Sequence, residues 1–172
     1  GVNTLFNALL QHPMFKTVDF SNLCLTQAGG MAASEGTARA WQAATGSAMI
    51  EGWGMSETCA IGTNNPVTRK SFSGNIGLPL PSIELAIKDD AGNSLPQGES
   101  GEICIRGPNV MVGYYKQEEE TRKAFTPDGY MRTGDVGIMD EEGYFRIVDR
   151  KKDMIIVSGF NVFPSELENV IS

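Results

Sequence analysis

Apolar residues along the first 66 positions predict elements that alternate between helix and strand. VNTLFNALLQHP has apolar residues at helical spacing and ends at a proline, so it predicts a helix. LCLTQAGG is typical of a buried strand with a glycine turn, MAASEGTARAWQAATG of a helix that ends at Gly46, and AMIEGW of a second strand. This β-α-β order predicts a parallel sheet, with ligand-binding loops expected at the carboxyl ends of its strands.

The pattern changes after Pro66, where short alternating segments replace the longer ones. IELAIKD and GEICIRG are typical strands, and DDAGN and PQGESG have the turn chemistry of antiparallel hairpins. One helix is predicted at QEEETRKAF, in which Glu118 and Arg122 have i,i+4 spacing. We interpret residues 67–147 as a β-rich unit.

A third segment covers residues 148–172. DMIIVSGFNVFP predicts two strands joined by a turn, and PSELENVI opens a helix with Ser165 and Glu168 as a capping box. This is too little to fold alone, so we expect the start of another domain. Because the chain has no initiator Met and stops inside this helical pattern, we expect an internal fragment with an α/β part (1–66), a β part (67–147) and a hinge region (148–172).

The composition and charge of the chain argue against several classes of binding partner and site. A net charge of −7 and a pI of about 4.7 argue against nucleic acid, which requires clustered basic residues. No apolar run approaches the roughly 20 residues of a membrane span, and the composition is typical of a soluble globular protein. The cysteines Cys24, Cys59 and Cys104 are widely spaced, so they predict neither a zinc site nor a disulfide framework, and this weakly favours a reducing cytosol.

The segment EGWGMSET, which follows the second strand, combines residue types suited to a nucleotide. Glycines let the backbone turn sharply and approach a ligand, while the ring of Trp53 offers a flat face for a purine. Ser56 can donate a hydrogen bond to a phosphate, and Glu57 is a hard oxygen ligand for Mg²⁺. The alternative interpretation is a surface turn with a half-buried tryptophan.

Two further motifs carry candidate chemistry. In YMRTGDVG, Asp135 follows a glycine in an expected tight turn, where its carboxylate can accept hydrogen bonds from both ribose hydroxyls. Taken alone, this motif favours the alternative of an aspartate that caps its own backbone. Arg150, Lys151 and Lys152 form either a solvated basic face or a linker that contacts a polyphosphate and biases a moving domain.

In chain order, EGWGMSET, SGNIGLPLPSIE and YMRTGDVGIMDEEGYFRIVDRKKDMIIVSGFNVFPSELENVI resemble the adenylate-forming enzymes, which include acyl-CoA synthetases, luciferases and peptide-synthetase adenylation domains. Within them the chain is most similar to bacterial long-chain fatty-acid–CoA ligases, through GVNTLFNALL and VDRKKDMIIVSGFNVFPSELE. The resemblance covers essentially the whole chain. It implies a partial α/β sheet subdomain, a β-rich distorted-barrel subdomain and the beginning of an α+β C-terminal domain.

The resemblance also implies roles for the nucleotide-facing residues. Trp53 would pack against adenine, Ser56 would contact the α-phosphate, and Glu57 would help bind Mg²⁺. Gly29 and Gly30 would lie between adenine and the acyl pocket. Three further residues of the same segment would contact the cofactor: Gly52, Gly54 and Met55.

For the later part of the chain, the resemblance implies that Asp135 holds the ribose hydroxyls and that Arg150 approaches the same ribose. Lys152 would be the hinge residue and, with Ser56 and Glu57, would count as catalytic. Gly159 would line the pantetheine path. The chain departs from the family pattern at Trp53 and Ser56, which are more often Tyr and Thr, and at residues 31–32, which are Met-Ala where relatives often have Ala-Pro. This last departure leaves the acyl-chain preference open.

The implied reaction uses ATP, Mg²⁺, CoA and a fatty acid, in the cytoplasm, and peripheral contact with the inner membrane and a homodimer stay open. Alternatives are a fatty acyl-AMP ligase, another acyl- or aryl-CoA ligase, or a truncated module that only binds nucleotide or acyl-adenylate. A phosphate loop ending in lysine and a distal lysine, both typical of the family, do not occur in these 172 residues. We therefore expect this chain alone to be inactive as a ligase.

Overall fold

The computed structural model describes residues 1–153, 155–157, 160–162 and 164. The chain divides into two compact units, Gly1–Leu78 and Pro79–Ser172. The three predicted segments, with boundaries after residues 66 and 147, stay predictions. The capping box predicted at Ser165 and Glu168 lies outside the described residues.

The first unit has the predicted β-α-β order. Strand β1 pairs with β2 in parallel, with Thr26 opposite Met49 and Ala28 opposite Glu51, and β3 then pairs antiparallel to β2. The strands follow one another in the sheet as β1-β2-β3-β4. The elements are α1 (Asn3–Gln11), a 3-10 helix (Pro13–Thr17), β1 (Thr26–Ala28), α2 (Glu35–Thr45), β2 (Met49–Trp53), a 3-10 helix (Ser56–Thr58), β3 (Thr63–Asn64) and β4 (Leu78–Pro79).

Trp41 of α2 is the centre of the apolar core of this unit. Its ring meets Phe6 edge-on at 4.9 Å and Phe15 at 5.3 Å between centroids. Its indole nitrogen donates to Thr26 Oγ1 at 2.9 Å, so the one polar group of the ring is satisfied inside the core. This contact fixes the helix against the first strand.

The predicted helix of residues 31–46 is shorter at its amino end because Ser34 caps it. The Ser34 hydroxyl accepts a hydrogen bond from Thr37 N at 3.2 Å, and α2 begins at Glu35. The segment before it, residues 31–33, therefore stays outside the helix as the loop that follows β1.

The second unit consists mainly of an antiparallel sheet, with strand order β5-β6-β7-β8, and this confirms the predicted hairpins. A separate pair of antiparallel strands, β9 with β10, confirms the two strands predicted in this segment, and the predicted turn between them lies outside the described residues. Among the described residues the larger sheet is open, with β5 and β8 at its edges, so the barrel implied by the resemblance is not closed. The elements are β5 (Glu84–Lys88), β6 (Gly101–Arg106), α3 (Glu118–Ala124), β7 (Met131–Met139), β8 (Phe145–Arg150), β9 (Ile155–Val157) and β10 (Phe160–Val162).

Asn65 links β2 to the loop that precedes β4. It is 1% exposed, and its amide donates to Glu51 O at 2.9 Å and to Asn75 O at 2.8 Å. We expect Asn65→Ala in the full-length protein to lower the free energy of unfolding by about 2 kcal/mol, because two carbonyl groups lose their donor. Thermal and urea unfolding would measure the change.

Asn22 provides the control for this substitution because it is an exposed asparagine of the same unit. Asn22→Ala should change the free energy of unfolding by less than about 0.5 kcal/mol. Equal stabilities of the two variants would contradict the structural role assigned to Asn65.

Candidate functional site

A cavity of about 400 Å³ lies in the first unit, where the parallel strands β1 and β2 end. Its lining includes five of the residues that the sequence predicted to contact a nucleotide or acyl group. The lining includes Gln27, Gly29, Gly30, Gly52, Trp53 and Gly54. The carboxyl ends of two parallel strands are therefore the place where these predicted residues come together.

Neighbouring atoms closely approach the backbone at Gly52 and Gly54. A Cβ atom at Gly52 would lie 2.5 Å from Asn64 Oδ1 and 2.7 Å from Gln27 Nε2, two groups that hydrogen-bond each other at 2.7 Å. A Cβ atom at Gly54 would lie 2.4 Å from the carbonyl oxygen of Ala60. Trp53 stands between these glycines and is 8% exposed, so its ring is buried rather than half-buried as in the surface-turn alternative.

Ser56 and Glu57 lie on a single 3-10 turn that Thr58 holds in place. Thr58 is fully buried, its hydroxyl accepts from Met55 N at 3.0 Å, and it donates to Met55 O at 3.1 Å. The turn leaves Ser56 exposed and Glu57 half-buried. Thr58 has no role among the predictions from the sequence, although its place directly after the Ser-Glu pair is a local signal for one.

Glu57 is the predicted metal ligand. Among the residues that the structure describes, no group of three or more His, Cys, Asp or Glu side chains could hold a metal ion. A magnesium ion bound with ATP usually needs only one or two protein carboxylates, since water and phosphate oxygens supply its other ligands. A single carboxylate at Glu57 fits that requirement.

Glu51 is a second acidic residue of this region that the sequence analysis did not select. It lies on β2 and is only 9% exposed, and its Oε1 accepts from Ala33 N, in the loop after β1, at 3.3 Å. Its Oε2 is buried without a hydrogen-bond partner among the described residues. Burial raises the pKa of Glu51 to about 7, although the hydrogen bond from Ala33 N acts in the opposite direction.

In the second unit, Asp135 and Arg150 lie opposite each other on β7 and β8. Asp135 is 7% exposed, and its Oδ1 lies 3.5 Å from Arg150 Nε. The expected tight turn at Asp135 is wrong: the residue lies within β7, where the register with β6 and β8 shifts. Its backbone N–H donates to Thr133 Oγ1 at 3.1 Å, so that N–H is satisfied by a neighbouring hydroxyl.

The basic residues that follow β8 have different surroundings. Lys151 Nζ contacts Asp90 Oδ1 at 2.7 Å and Glu102 Oε2 at 3.1 Å, whereas Lys152 is exposed. Lys151 is therefore an anchored residue rather than part of a purely solvated face. Gly159, predicted to line the pantetheine path, lies outside the described residues.

Comparison with known proteins decides the family. Residues 1–115, well over half of the chain, match the family described as AMP-binding enzyme. The chain belongs to the AMP-binding enzymes. One relative, the long-chain-fatty-acid–CoA ligase of Yersinia pestis, is 48% identical over 172 residues, all of this chain and 30% of the relative. The chain thus spans about a third of the length of the curated relatives it matches.

Solved structures of AMP-binding enzymes agree with this assignment. ATP-bound MatB from Rhodopseudomonas palustris has a TM-score of 0.89 at 38% identity, over 98% of this chain and 34% of that one. The O-succinylbenzoate CoA synthetase MenE of Bacillus subtilis, in complex with ATP and magnesium ion, has a TM-score of 0.80 at 29% identity, over 99% of this chain and 35% of that one. The resemblance to adenylate-forming enzymes is confirmed, and the roles of individual residues stay predictions.

The pKa of Glu51 leads to a pH-dependent stability. A glutamate with an ordinary pKa of 4.5 ionises in the unfolded chain first, while the folded protein keeps this proton until about pH 7. The contribution of Glu51 to stability is therefore fully present below pH 4.5 and is lost as the pH rises to about 7. We expect Glu51→Gln in the full-length protein to melt several degrees above the wild type at pH 8 and close to it at pH 4.5.

Glu35→Gln is a suitable control because its carboxylate is exposed on α2 of the same unit. Melting curves of both variants between pH 4.5 and 8 would test this prediction. If the difference between Glu51→Gln and the wild type were the same at all pH values, Glu51 would not titrate in this window.

Proposed function

We propose that the protein containing this chain activates a long-chain fatty acid with ATP and transfers the acyl group to CoA. The observation that carries the proposal is the 48% identity, over the whole chain, to a relative named for that activity. The glycine-lined cavity supports it, because an elongated acyl chain and a nucleotide both require close approach to backbone.

The proposed nucleotide contacts of the first unit follow from the shape of its loop. Trp53 lines the cavity and would present its ring to adenine. Ser56 is exposed on the turn that the Thr58 hydroxyl holds by hydrogen bonds, and it would donate to the α-phosphate. Glu57 would be the magnesium ligand. Bound magnesium would neutralise phosphate charge during the reaction.

The proposed ribose contact belongs to the second unit. A carboxylate that lies beside a guanidinium can accept hydrogen bonds from the two hydroxyls of a ribose. Asp135, buried and 3.5 Å from Arg150, has that arrangement. Lys152 and Gly159 keep the hinge and pantetheine roles that the resemblance implies.

The proposed reaction depends on positioning of the reacting groups more than on proton transfer by protein side chains. The carboxylate oxygen of the fatty acid attacks the α-phosphorus of ATP, pyrophosphate leaves, and an acyl-adenylate forms. The sulfur of CoA then attacks the acyl carbon, the thiol proton goes to solvent, and AMP leaves. Since the attacking carboxylate is already ionised at neutral pH, the protein would mainly hold the reacting groups in line.

The proposal also concerns where the enzyme acts. No helix formed by the described residues has the length and apolar character needed to cross a membrane. We propose cytoplasmic action with peripheral contact at the inner membrane, since fatty substrates partition into bilayers. Dimerisation of the complete enzyme is part of the same proposal, and its mass in solution would test it.

A direct assay tests the proposed activity. With a long-chain fatty acid, ATP, Mg²⁺ and CoA, we expect the full-length protein to form the acyl thioester, and the 172-residue chain alone to form none above a blank without protein. Acyl-adenylate without thioester would indicate a fatty acyl-AMP ligase, and nucleotide binding without either product would indicate a binding module. Turnover of aryl acids alone would contradict the fatty-acid assignment.

The role proposed for Asp135 has its own test. In the full-length protein, Asp135→Ala should lower kcat/KM for ATP about 10- to 100-fold, the value of a charge-assisted hydrogen bond pair. Asp140→Ala is the control, because Asp140 only caps a turn, accepting from Glu142 N at 3.0 Å and Tyr144 N at 2.8 Å. Unchanged kinetics for Asp135→Ala would remove this residue from the ribose site.

A further inference from the structure

Glu102 of β6 is a buried carboxylate that uses both of its oxygens. It is 6% exposed. Its Oε1 accepts from Gly134 N at 3.0 Å, and its Oε2 accepts from Arg132 Nη1 at 3.0 Å and from Lys151 Nζ at 3.1 Å. Two cations and one backbone N–H thus compensate a charge that would otherwise be costly to bury.

The backbone N–H of Gly134, which donates to Glu102, belongs to a bulge of β7 that also contains Asp135. Val136 pairs with Glu102 and Arg132 pairs with Cys104, so β7 has three residues, 133–135, where β6 has only one. The two extra residues cannot join the regular ladder with β6, and their backbone needs other partners on that side. The hydrogen bond from Gly134 N to Glu102 supplies one of them.

Lys151 connects the same carboxylate to the linker after β8. Its backbone N–H donates to Gly134 O at 2.8 Å, and its ammonium contacts both Glu102 and Asp90. Burial acts to lower the pKa of Lys151, but the hydrogen bonds to Asp90 and Glu102 outweigh it and keep the pKa above its ordinary value. The Glu102 carboxylate therefore contacts both the bulge, at Gly134, and Lys151, the first residue after β8.

We propose that Glu102 is a positioning residue for ribose binding: its carboxylate fixes the bulge that carries Asp135 and, through Lys151, the chain next to Arg150. This inference rests on the proposed ribose role of Asp135. Glu102 would not touch the nucleotide. Its contribution would be to hold the Asp135 carboxylate and the Arg150 guanidinium in one geometry, since small displacements of binding groups strongly reduce catalysis.

The test measures how well the full-length enzyme distinguishes ATP from 2′-deoxy-ATP, as the ratio of the two kcat/KM values. We expect Glu102→Ala to lower this ratio about 10-fold, towards the value of Asp135→Ala. Glu102→Gln, which keeps an acceptor for Gly134 N but not the charge, should lose less. A merely structural loss of active enzyme lowers both rates equally and leaves the ratio unchanged.

Glu84→Ala is the matched control, because Glu84 is a carboxylate of the neighbouring strand β5, held by Arg106 at 2.6 Å and by Tyr130 at 2.9 Å. Its ratio should equal that of the wild type. If Glu102→Ala does not fold, Lys151→Met replaces it, since that variant removes the ammonium contact with Glu102 while Arg132 still pairs with Glu102.

The outcomes separate the two proposals. If Asp135→Ala lowers the ratio and neither Glu102→Ala nor Lys151→Met does, the positioning role of Glu102 is wrong and the ribose role of Asp135 stands. If Asp135→Ala leaves the ratio of the wild type unchanged, the ribose role itself fails, and the role of Glu102 fails with it.

Discussion

The parallel pairing of β1 with β2 is the contact on which the cavity of the first unit depends. The pairing covers only three residues of each strand, so its geometry relies on the core beneath it. Trp41 supplies that support through its edge-on contact with Phe6, its tilted contact with Phe15 and its hydrogen bond to Thr26. Because both strands end at the same edge, the glycines after β1 and those after Glu51 line one space.

Close backbone approach then limits which residues the end of β2 and the loop after it can contain. Gln27 and Asn64 occupy the space where a side chain at residue 52 would lie, and Ala60 does the same for residue 54. The two hydrogen bonds between the Thr58 hydroxyl and the backbone of Met55 hold the turn on which Ser56 and Glu57 lie.

Two buried carboxylates, those of Glu51 and Glu102, differ in the number of hydrogen-bond donors that replace water around them. Glu102 is compensated by Arg132, Lys151 and a backbone N–H. Glu51 has a single donor, Ala33 N, and an oxygen without a partner among the described residues, so its pKa rises to about 7. The ionised form of Glu51 is therefore disfavoured, whereas Glu102 has three donors for its two oxygens, although both residues lie on interior strands.

Most elements could be predicted because their signals are local. The proline after α1, the glycine after α2 and the turns between β5 and β6 all lie within a few residues of the boundary they set. The nucleotide-facing motifs were also visible, since a ring between glycines and a Ser-Glu pair are contiguous in the chain. Glu51 and Glu102 were missed because nothing local distinguishes them from ordinary strand residues.

The amino-acid sequence by itself determined the order of helices and strands, the family and the residue types available for nucleotide chemistry, because periodicity and motifs act over short stretches of chain. Only the tertiary structure decided which of these residues lose water and which partners they meet. The contacts that set the state of Glu51 and the place of Asp135 join residues 18 to 49 positions apart. Their strength depends on burial and on strand register, which are properties of the folded chain alone.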